Sequence, residues 1–88
     1  MSTVVSYFQA RLGAEFLIAG SALSLVLTEV QPTANPCAFA LTFQGPATPE
    51  LEQQTIILER NGDDAIAIFI VPAGCNSAGM LYHAVFNN

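Results

Sequence analysis

Few side chains in this chain are suited to chemistry: one histidine, His83, two cysteines, Cys37 and Cys75, and seven acidic residues. A histidine acts as a base or a ligand only within a constellation. The chain has no second histidine, and neither serine nor cysteine stands close to His83 in sequence. His83 therefore reads as a surface or edge residue in the middle of a strand. Cys37 and Cys75 lack Cys-x-x-Cys spacing, and two ligands alone do not close a zinc site. They allow one disulfide, Cys37 to Cys75, in an oxidising compartment; the preferred reading is a pair of reduced thiols. Asp63-Asp64 with Glu59 lacks the alternating oxygen ligands of a calcium loop and reads as the polar tip of a hairpin. Glu50 and Glu52 are loop carboxylates. Gly45-Pro46 and Gly74-x-x-x-x-Gly79 are followed by no lysine and have no strand–loop–helix context, so they are not phosphate cradles. The reading is a chain with no catalytic, metal or cofactor residues, and not an enzyme.

Composition points towards association. Hydrophobic residues make up 52% of the 88 residues and charged ones only 10%, against about 25% charged in an ordinary globular domain. There is no lysine, and the two basic residues are Arg11 and Arg60. A small free domain normally keeps itself soluble with a mixed, charged surface, and this chain lacks the residues to build one. The expectation is a homo-oligomer or a hetero-partner that covers part of the surface. A net charge of −5 excludes nucleic acid, whose affinity comes from clustered cations that neutralise phosphates. It disfavours anionic membranes for the same reason. The segment from Phe16 to Leu27 is too short to span a bilayer and is interrupted by Gly20-Ser21, and the first residues carry no basic cluster. No signal peptide and no membrane insertion are therefore expected, and the location expected is cytoplasmic, or a particle assembled there.

The elements that would position these residues are mostly strands. Val4, Phe8 and Leu12 recur at helical spacing with Gly13 as a stop, which predicts a helix over about 3–12. Strands are expected over about 15–19, 22–31, 37–45, 53–60, 64–72 and 79–87 within a single domain. Leu23, Leu25 and Leu27 share a face, but Val30 falls out of phase, so a bulge or strand end is expected near Glu29. Cys37, Phe39, Leu41 and Phe43 give the cleanest alternation. Asn61-Gly62 is a hairpin signal. A two-residue turn would place Ile56 and Leu58 beside Ala65, Ala67 and Phe69. A turn with Gly62 as a bulge would instead align them with Ile66, Ile68 and Ile70. The second is favoured because it builds a continuous aliphatic face. In this favoured arrangement Ile57, Phe69 and Val71 are left on the other face needing cover, and the helix is expected to supply it. Pro72 is read as ending its strand and Ala73 to Gly79 as a loop. The fold class is mainly β: a small antiparallel barrel or sandwich of about six strands, with one N-terminal helix on an opening or a face.

Several stretches fall in an order seen in known domains: Phe8…Leu12-Gly13-x-x-Phe16, Phe39-Ala40-Leu41-Thr42-Phe43-Gln44-Gly45-Pro46, Gln53-Gln54-Thr55, Phe69-Ile70-Val71-Pro72 and Tyr82-x-Ala84-Val85-Phe86-Asn87. With them the chain resembles a family of short, uncharacterised bacterial domains often encoded beside proteins with phage tail-collar domains. Gln54 and Ala65 or Ala67 stand where those relatives are expected to carry glycine. The resemblance implies a part in a tail-like or fibre-like assembly. The functional expectation is a noncatalytic structural or interaction module that self-associates or binds such a protein through apolar strand faces or an edge. Its expected contact residues are Ile57, Phe69 and Val71, with Tyr82 and Phe86 on the last strand. The alternatives are a barrel holding a small apolar ligand between Phe39, Phe43 and the isoleucines, and an assembly chaperone for a tail-collar-type fibre protein.

Overall fold

Six antiparallel strands close into a ring. The computed structural model describes residues 5–35, 37–48, 50–60, 62 and 65–87. A short helix α1 (Val5–Gln9) is followed by β1 (Glu15–Ile18), β2 (Ser24–Pro32), β3 (Ala38–Gly45), β4 (Gln54–Glu59), β5 (Ile66–Asn76) and β6 (Gly79–Asn87). Around the ring the order is β1-β2-β3-β6-β5-β4, with β4 returning to β1.

Strand periodicity decides what lies inside. On β3, Phe39, Leu41 and Phe43 are buried while Ala38, Ala40 and Thr42 face outward. On β2, Leu25 and Leu27 point inward, and the register slips between Leu27 and Glu29, as the phase change implied. The slip pairs Val30 with the inward-facing Leu41 and returns it to the core side. The β4–β5 hairpin pairs Ile56 with Ile68 and Leu58 with Ile66, the aligned register favoured above. Gly62 has φ +89°, which a non-glycine residue adopts only with strain; Asn61, Asp63 and Asp64 lie outside the described residues.

Three expectations change. First, β5 does not stop at Pro72 but continues to Asn76, so the expected loop at Ala73 is strand. The ladder shows why the proline is tolerated. The amide of Ala19 donates to the carbonyl of Ile57 at 2.9 Å, so the backbone groups of Ile57 face β1. Its partner Ala67 is then a non-hydrogen-bonded neighbour whose own groups face away from β4. Counting along β5 by twos, Ala67, Phe69 and Val71 direct their backbone groups towards β6, and Ile68, Ile70 and Pro72 towards β4. The β4–β5 ladder starts only at Gln54↔Ile70, so the missing N–H of Pro72 falls beyond β4 and no ladder bond is lost.

Second, α1 ends at Gln9, and Leu12 sits exposed in the turn that follows. The expected stripe is therefore not formed; Val4 lies outside the described residues. Third, the helix does not cover the outer face of β5. Gly13 donates to the carbonyl of Leu27 at 2.7 Å and Leu27 to that of Ala14 at 3.0 Å, which ties the turn to β2. This places the fully buried Phe8 at the mouth of the ring, 5.7 Å from Phe39 and 5.5 Å from Phe86 between ring centroids. At the other mouth, the Tyr82 hydroxyl accepts a hydrogen bond from the amide of Leu51 at 2.9 Å and holds the segment after β3 against the core. Gly79, with φ +138°, passes against the carbonyl of Gly45 there; a Cβ would collide with that backbone.

Phe8 is thus a plug rather than a member of a surface stripe. Phe8→Ala should cost about 3–5 kcal/mol in urea unfolding, a large share of a small domain's total stability. A loss below about 1 kcal/mol would show that Phe8 does not close the barrel.

Candidate functional site

His83 lies on the outer face of β6, exposed, with Thr42 on one side and Val71 on the other. Glu29 comes next across β3, paired with Thr42, so Glu29, Thr42 and His83 line one groove of about 220 Å³ with Ala40 and Val85. The Glu29 carboxylate accepts from Gln31 Nε2 at 3.2 Å and from Thr42 Oγ1 at 3.5 Å. The order across the strands is carboxylate, hydroxyl, imidazole. Nucleophilic catalysis requires the imidazole between the other two, oriented by the acid and taking the proton from the hydroxyl. The arrangement does not supply that.

The cysteines sit at opposite mouths. Cys37 precedes Ala38, which pairs with Asn87, whereas Cys75 pairs with Met80, itself opposite Gly45 at the other end of β3. The eight residues of β3 span about 23 Å, while a disulfide needs Cα atoms within about 7 Å. The expected disulfide option is therefore excluded within one chain; both thiols are free, Cys75 exposed and Cys37 partly covered. Glu15 and Glu59 border a shallow groove with Leu17 and Arg60, and Glu15 accepts from Ser24 Oγ at 2.8 Å. Glu50 and Glu52 are exposed, and Asp63 and Asp64 lie outside the described residues. Among the described residues no three metal-binding side chains converge, and no helix is long and apolar enough to cross a membrane.

The feature that stands out is apolar and lies outside the ring. Phe69 is 50% exposed and Val71 39% on β5, Ile57 39% on β4, and Val85 71% on β6. Phe69 pairs with Thr55, two residues before Ile57, which puts Phe69 and Ile57 in diagonal reach on one face. Val85 follows Ala84, the partner of Ile70, and so stands beside Phe69 on the same outer surface. Leu17, 54% exposed on β1, continues the patch past Glu59, its partner on β4.

Two of the expected contact residues are not on it. Tyr82 pairs with the inward-facing Phe43 and is fully buried, with its hydroxyl occupied by Leu51. Phe86 pairs with Phe39, stacks on it at 4.7 Å, and touches Phe8. Both belong to the core side of β6. Val85 and Leu17 take their place outside, and sequence reasoning missed both. A signal for Val85 existed: the inward set Tyr82, Ala84, Phe86 has the period of a strand and leaves His83 and Val85 outward.

Comparison with known proteins adds the family. The family described as Domain of unknown function (DUF6916) matches residues 4–86, which takes in the described helix and all six strands except the last residue of β6. The chain belongs to this family. No curated protein and no solved structure matches it. The resemblance to an uncharacterised domain family thus holds for nearly the whole chain of this DUF6916 domain.

The placement of the thiols makes a direct prediction for it. Thiol titration of the folded protein should count two free cysteines, with Cys75 reacting at once and Cys37 more slowly, and reductant should not change the melting temperature. A stabilised oxidised form with an intramolecular bridge would contradict the register.

Proposed function

We propose that this DUF6916 domain is a noncatalytic interaction module whose outer β4–β5–β6 face is buried against another chain. The observation that carries the reading is the group Ile57, Phe69, Val71 and Val85: four large apolar side chains from three adjacent strands, all outward and all exposed. Scattered surface hydrophobics are ordinary, whereas a contiguous set on a rigid sheet has the form of an interface centre. Composition points the same way, since 10% charged residues cannot surround such a patch with the usual polar rim. Burying the exposed half of Phe69 alone would contribute about 1 kcal/mol. The partner is a second copy or a tail-like or fibre-like protein, the kind of assembly that the resemblance to domains encoded beside tail-collar proteins implies.

A ligand-holding barrel finds less support. Phe39, Phe43, Ile56, Ile68 and Ile70, between which a small apolar molecule would lie, are at most 5% exposed and packed into one cluster. The chaperone alternative shares the same face and differs in releasing its partner.

Phe69→Asp tests the reading. Light scattering on protein purified natively should give a mass above that of the 9.3 kDa chain, and Phe69→Asp should return the monomer. The substituted side chain already meets water, so unfolding should shift by about 1 kcal/mol or less. A wild-type chain that is a lone monomer as purified, with the variant unchanged in mass, overturns it.

A further inference from the structure

One junction closes the ring with few bonds. β1 has four residues, Glu15–Ile18, and among the described residues it meets β4 only at Leu17↔Glu59 and Ile18↔Leu58. One bond extends the contact, from the amide of Ala19 to the carbonyl of Ile57 at 2.9 Å. By contrast, β3 pairs with β6 along its whole length, from Ala38↔Asn87 to Gly45↔Met80. The outer side of the β1–β4 junction is an open groove between Glu15, Leu17, Glu59 and Arg60, all exposed.

The other ladders do not run through β1. β2, β3, β6, β5 and β4 are joined in that order into one continuous sheet by their own pairing. What precedes β2 is held as a single piece. α1 has five residues, too few to stand as a helix in water, and Phe8 fixes it in the mouth of the ring. Phe16 and Ile18 are the inward residues of β1. Between them and α1, the turn is tied to β2 through Gly13, Ala14 and Leu27. At the far end Ile18 donates to the carbonyl of Leu23 at 3.0 Å, around a turn that contains Gly20 with φ +81°.

We infer that residues 5–19 form a strap that opens as one unit while the five-stranded sheet stays folded. Opening breaks the few bonds to β4 and β2, withdraws Phe8, Phe16 and Ile18, and returns conformational freedom to the whole strap. The next candidate, β4, is bound to β5 from Gln54↔Ile70 to Leu58↔Ile66 and has more to lose. The pieces of the strap leave together, because so short a helix has no hold once Phe8 is withdrawn. Backbone parity marks the amides concerned. Leu27 donates to Ala14 and so faces the strap, although it lies in β2. Its neighbour Val26 then faces β3, opposite Gln44, and on β3 the same alternation turns Leu41 and Phe43 towards β6. The inference stands on the ladders and does not rest on the proposed interaction face.

Native-state hydrogen exchange by NMR on the full chain, repeated in rising urea below the unfolding transition, tests it. The amides of Gly13, Ile18, Ala19 and Leu27 should share one level of protection, at least about tenfold below that of Leu41 and Phe43. Their dependence on urea should be shallow, since opening the strap exposes only part of the surface that unfolding does. Val26 should remain better protected than Leu27 beside it. Ile70→Val, in the sheet and outside the strap, should speed exchange at Leu41 and Phe43 about two- to tenfold and leave Ala19 unchanged. Protection of Ala19 and Leu27 equal to that of Leu41, with the same steep urea dependence, overturns the inference. A fast Ala19 beside slow Gly13 and Leu27 overturns it too, because one end then frays while the strap stays closed.

Discussion

Closure of one sheet into a ring is the constraint on which the rest depends. A strand alternates sides at every residue, so each inward side chain obliges its neighbours to face outward. Here the inside is filled by large residues: Phe16 and Phe43 edge to face at 6.1 Å, Phe39 stacked on Phe86, Leu25, Leu27 and Leu41 from the neighbouring strands, and Tyr82 and Phe8 at the two mouths. Buried positions contain no charged or polar side chain among the described residues. Once the interior is full, the remaining apolar residues have nowhere to go but out. In most small domains those positions would be lysine and glutamate; in this one they are isoleucine, phenylalanine and valine.

Much of the ring was legible in the sequence wherever one face was apolar and the other was not. The run from Ala38 to Gly45 shows its inward set at sight, and the phase change after Thr28 located a bulge because a period of two cannot slip without one. The hairpin register followed from asking which alignment of Ile56 and Leu58 builds a single aliphatic surface. The last strand resisted for the opposite reason. From Met80 to Phe86 apolar residues stand at odd and even positions alike, so alternation could not sort Tyr82 and Phe86 from Val85. Only the cross-strand partners Phe43 and Phe39 do that. The end of β5 was misread because proline forbids a ladder bond on one side only, and which side depends on a neighbour far away in sequence. Phe8 fitted a helical stripe with Leu12, yet the hydrogen bonds of Gly13 and Ala14 to Leu27 end the helix early and turn Phe8 into the core.

The chemistry-bearing residues were legible as solitary, and the fold leaves them dispersed. Glu29, Thr42 and His83 come together in an order unsuited to proton transfer, and the two thiols are held at opposite ends of the barrel. The outer face of β4, β5 and β6 is different: Ile57, Phe69, Val71 and Val85 lie exposed on adjacent strands, with Glu59 at the border with β1. It is this face that the proposed interaction rests on.

Radical footprinting inside cells that produce the protein tests that claim most directly, with the buried Phe43 as the internal zero. The account predicts that Phe69, half-exposed in the isolated barrel, is oxidised in the cell no faster than Phe43, because a companion chain covers it. Oxidation of Phe69 at the rate of a solvent-exposed phenylalanine would contradict the account.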